Sequence, residues 1–90
     1  MKKLIHDPHY PVSSDTIESL QRYIDNGIMP GGFLTAVLEN DLYAAALRAD
    51  HENRINLHNI ASYCFHHIPD EIKGSSAATY KHQKSHSKES

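Results

Sequence analysis

The chain has 90 residues, a mean hydropathy of -0.58 and one cysteine, so it makes one small domain and has no intrachain disulfide. Its formal net charge of -2 divides into -4 over residues 1–74 and +2 over residues 75–90, and an acidic body argues against broad phosphate-backbone binding, which needs clustered Lys and Arg. The longest apolar stretch, Phe33 to Leu38, is too short to span a bilayer, and Met1–Ile5 lacks the apolar core of a signal peptide; a cytoplasmic protein is expected.

In chain order, residues 1–13 carry Asp7-Pro8 and Tyr10-Pro11, and the residue before each proline is pushed away from helix. An extended arm is expected, packed on the body through Leu4, Ile5 and Tyr10. A first helix is expected over 16–26. Asp15 is its expected N-cap, Glu18 closes a capping box, Ile17, Leu20 and Ile24 share one face, and Gly27 stops it. Pro30-Gly31-Gly32 opens a second helix whose apolar stripe is Phe33, Leu34, Val37, Leu38 and Leu42. That helix either continues to Ala49 or breaks at Asn40-Asp41, with Asp41 capping a third segment over 42–49. Asp50 then caps a helix over 51–67, with Leu57, Ile60, Ala61, Cys64 and Ile68 as its buried stripe and Pro69 as its end.

Residues 75–90 are poor in large apolar side chains and are expected to form a disordered tail, with only Ala77–Tyr80 able to dock, because they bury too little surface to offset ordering entropy. The expected architecture is therefore all-α: a helical domain over 14–74, a small bundle of three to four helices, between an extended arm (1–13) and a disordered tail (75–90). A core this small makes homo-oligomerisation a reasonable expectation.

Eight histidines suggest metal binding, but their spacing does not. His51 and His58 are too far apart on a helix to share an ion, His66 and His67 diverge, and His82 and His86 sit in the tail. No metal site or cofactor is expected. Cys64 lies on an apolar stripe with no helix start to lower its pKa, and no nucleophile–base set is readable, so no enzymatic activity is expected. Two polar constellations remain as a candidate ligand or partner site: the helix start at Pro30, Gly31, Gly32 and Phe33, and the cluster Asn40, Asp41, Arg48, Asp50 and Asn53. Exposed backbone N–H groups at a glycine-opened helix start attract anions. Capping and tight turns account for the same residues.

The run Gly27-Ile28-Met29-Pro30-Gly31-Gly32-Phe33-Leu34, followed by Asn40-Asp41-Leu42 and Arg48-Ala49-Asp50-His51-Glu52-Asn53, resembles a group of short proteins encoded by tailed bacteriophages and prophages. The resemblance covers about Leu20 to Gly74. The group often continues with a Cys-Trp-Gly-Ser-Pro segment and a further tryptophan. Here Lys73 precedes Gly74-Ser75 and tryptophan is absent, so the group's final helix is expected to be shortened or lost. The resemblance implies an accessory protein of the bacterial cytoplasm that acts by binding a host or defence protein. An oligomeric binder of a nucleotide-type signal is the alternative, and a nucleic-acid-associated regulator a weaker one.

Overall fold

The computed structural model describes residues 3–85, and its regular structure is all helical: no strand occurs among the described residues. Six α-helices follow one another as α1 (Ser14–Asn26), α2 (Gly32–Leu38), α3 (Leu42–Arg48), α4 (His51–Ile55), α5 (Leu57–His67) and α6 (Ser76–Ser85), with a 3-10 turn over Asp70–Ile72.

Helix α1 starts two residues earlier than its charge pattern suggests. Ser13, not Asp15, is the N-cap: its hydroxyl accepts from the Thr16 N–H at 3.2 Å. Val12 before the cap and Ile17 in the first turn are both buried, which is the hydrophobic staple that fixes chain entry. Asp15 is left in the first turn, where a carboxylate favours the positive end of the helix. Gly27 ends α1 in the left-handed region (φ 67°), its N–H donating to the Tyr23 carbonyl at 2.9 Å. Glycine adopts that conformation without the Cβ penalty.

The second helical stretch breaks where one of the two expectations put it. Asn40 takes φ 62°, its N–H donates to the Val37 carbonyl, and the Asp41 N–H reaches back to the Ala36 carbonyl. This pair of bonds is a Schellman closure with asparagine in the left-handed position. Asp41 at once caps α3, accepting from the Ala44 N–H at 3.0 Å. Because of this corner Leu42 leaves the apolar stripe and faces solvent, contrary to expectation. The next helix also divides. At Asn56 (φ -100°, ψ 11°) the backbone leaves helical values, separating α4 from α5. The Asn56 amide donates to the Pro11 carbonyl and its carbonyl oxygen accepts from Asn59.

The core joins α1, α2 and α5 through Leu20, Tyr23, Ala36, Leu38, Ile60, Tyr63 and Cys64, all nearly free of solvent. Each large apolar side chain so buried contributes about 1.5–3 kcal/mol. Both core tyrosines also satisfy their hydroxyls. Tyr23 donates to the Ile72 carbonyl at 2.6 Å, and Tyr63 donates to the Ile5 carbonyl at 2.5 Å. Residues 3–13 hold no helix, and their backbone turns at Asp7–Tyr10. Leu4 and Val12 are buried, but Ile5, expected to pack, is exposed.

The largest departure from expectation follows Gly74. Residues 76–85 form α6 rather than a disordered tail; residues 86–90 of that tail lie outside the described residues. The sequence shows little reason for this helix, because its buried contact is the polar Thr79. That hydroxyl lies 3.0 Å from the Ser76 carbonyl and 3.2 Å from the Glu39 carboxylate. His82 Nε2 lies 2.6 Å from the Tyr23 carbonyl, its ring edge-on to Tyr23, and the Gly74 N–H donates to the Leu38 carbonyl at 2.7 Å. The helix is docked by polar contacts, which carry no periodic apolar signal.

Candidate functional site

The nine candidate residues do not form one constellation. Phe33 belongs to the core. Gly32 meets Arg48: a Cβ at position 32 would lie 3.2 Å from Arg48 Cδ, so the arginine stem would have to give by a few tenths of an ångström. Pro30 and Gly31 precede this contact, and the Pro30 carbonyl accepts from the Thr35 hydroxyl at 2.9 Å. Asp50 caps α4, accepting from the Asn53 N–H at 2.8 Å. Asn40 and Asp41 sit at the opposite end of α2 from Gly32, about 10 Å along a seven-residue helix. Asn40, Asp41 and Asp50 thus all serve local helix termination or capping.

Asn40 and Asp41 also border a concavity. Two adjoining hollows of about 380 and 350 Å³ share Val37, Asn40 and Ala61. Together they form an open, mainly apolar groove between the α2–α3 corner and α5. Ala61, expected in the buried stripe, is exposed in the groove, while Ala45 is buried beside it. Leu42, Leu57 and His58 line one end. Phe65, Asp70 and Lys73 line the other. Lys73 closes that end of α5, its ammonium donating to the Phe65 and Ile68 carbonyls at 3.1 and 2.6 Å and to Asp70 at 2.7 Å. The ammonium beside Asp70 holds that carboxyl below its ordinary value.

Cys64 touches the groove but is 3 % exposed, and burial pushes its thiol up to about 12, against a smaller opposing effect of Lys73. A thiol so protonated is a packing group, not a nucleophile. Burial, with a smaller contribution from Glu39, likewise raises the Tyr23 phenol to about 12.

One cluster was not legible in the sequence. The segment before α1 brings Asp7 onto the end of α5, where its carboxylate lies 2.8 Å from His67 Nε2 and 3.2 Å from His9 Nδ1. Tyr10 stacks on His66 with ring centroids 4.8 Å apart. The His67 contact is the main reason the Asp7 carboxyl falls to about 2. Among the described residues no group of three or more His, Cys, Asp or Glu is arranged to hold a metal ion. The cluster fastens the N-terminal segment to α5.

No helix among the described residues is long and apolar enough to cross a membrane. No protein-family model matches the chain, and neither the curated proteins nor the solved structures searched give a match.

Proposed function

We propose that this chain is a phage-derived accessory protein of the bacterial cytoplasm that acts by binding, its groove receiving apolar side chains of a host or defence protein. The groove carries the reading: two apolar hollows in line, with the small side chain of Ala61 shared between them. Adjoining hollows suit successive anchors of an amphipathic partner helix, which projects apolar side chains at i and i+4. Asp41 on the rim, and a body of net charge -4 over residues 1–74, favour a partner with basic residues flanking its apolar anchors. The same acidity weighs against a nucleotide-type ligand, whose phosphates would meet Asp41. The phage origin rests on the motif resemblance, and the small, well-anchored core suits a binding scaffold.

The test is affinity capture from bacterial lysate, comparing the native chain with Ala61→Phe, which fills the groove from an exposed position. A protein retained by the native chain and lost from the variant is the expected result. Identical retention by both, or none by either, removes the groove from the function.

A further inference from the structure

Helix α3 buries a single residue and turns most of its apolar side chains outward, and its outer face is more than a general sticky surface. Leu42, Tyr43 and Leu47 are 66 %, 82 % and 86 % exposed, and Ala45 is the helix's buried residue. At 100° per residue, Leu42, Tyr43, Ala46 and Leu47 fall within an arc of roughly 140° on the side away from Ala45. Arg48 turns the other way, its stem lying against Gly32. From Leu42 to Leu47 the helix carries no charged residue, although residues 1–74 have a net charge of -4. Two like-charged bodies approach at least cost where charge is absent.

We infer that this face is the seam of a symmetric homodimer in which α3 packs antiparallel against α3 of a second copy, with the twofold axis passing between residues 44 and 45. The occupant follows from the order of the side chains. Turned upon itself about that axis, the face sets Leu42 opposite Leu47 and Tyr43 opposite Ala46, each twice by symmetry. The largest side chain then meets the smallest, and leucine meets leucine. Parallel pairing would oppose Tyr43 to Tyr43 and Ala46 to Ala46, leaving a collision beside a void. A self-complementary patch of this kind is what an isologous interface requires. Leu42 also lines the groove, so the pairing sets two grooves on either side of the axis.

A seven-residue seam lies at the small end of interface sizes, below about 1,200 Å² in total, the range of weak and transient associations. Sedimentation of the full chain from about 1 to about 300 µM tests it. The 10.2 kDa monomer is expected to give way to a species of twice that mass as concentration rises. Leu47→Glu and Ala46→Phe are each expected to raise the dissociation constant at least tenfold, with far-UV circular dichroism unchanged because both sites are exposed. A wild-type chain that stays monomeric throughout, a stoichiometry other than two, or variants that associate within tenfold of wild type each overturn the assignment. Ala61→Phe is expected to leave the dimer intact, so the seam and the groove fail or stand separately.

Discussion

The two sides of this molecule are built to different standards. In the core shared by α1 and α5, side chains are buried almost completely and the two tyrosines reach across the chain to satisfy backbone carbonyls 49 and 58 residues away. On the α3–α4 side, α3 buries only Ala45 and α4 buries no residue, while large apolar groups stand in water. The first arrangement is what a small domain needs to stay folded. The second tolerates change, because the side chains it exposes add little to the core.

Four substitutions break or sharpen that contrast. Leu20→Ala, at a fully buried position on α1, is expected to cost about 2–5 kcal/mol in urea denaturation, a large share of the stability of a domain this size. If it costs no more than a change on α3, the division between the two sides fails. Asp41→Ala removes the α3 cap and is expected to cost about 1 kcal/mol, with Asp41→Asn restoring most of it. Asp7→Asn separates the N-terminal fastening from the rest. The Asp7 carboxyl is held at about 2 when folded against 3.8 ordinarily, so its contribution is complete above about pH 5 and is lost as the pH falls through 3.8 towards 2. A pH series of unfolding midpoints should show that acid limb in the native chain and a flatter one in the variant. Tyr43→Ser, measured at low protein concentration, is expected to change stability by no more than about 0.5 kcal/mol.

Local signals in the sequence were read well, because capping is local chemistry. Gly27, Asp41 and Asp50 act as their types suggest, and Pro69 follows the end of α5. The Ser13 cap is obscured in the sequence by Asp15, which suits the same role two residues on. What depended on distant partners stayed hidden. Tyr23 and Tyr63 look amphipathic in sequence, and only the fold shows which carbonyls take their hydroxyls. Helix α6 is held by Thr79 and His82, whose partners Glu39 and Tyr23 are 40 and 59 residues away. The candidate site was legible in part: Asn40 and Asp41 border the groove, but its apolar lining comes largely from residues of α2, α3 and α5 expected in buried stripes. Ala61 gave no sign of its exposure, whereas Phe65 lies off the expected buried stripe.

The corner at Asn40-Asp41 ends one helix and begins the next with no residue to spare. Its length is therefore a fixed quantity. One residue gained or lost there would turn α3 by roughly 100° about its axis, swinging Tyr43 and Leu47 round the helix and Ala45 out of its contact. Variation in chain length among proteins of this shape is accordingly expected in the segment before α1 or after Gly74, while the spacing from Phe33 to Arg48 stays constant.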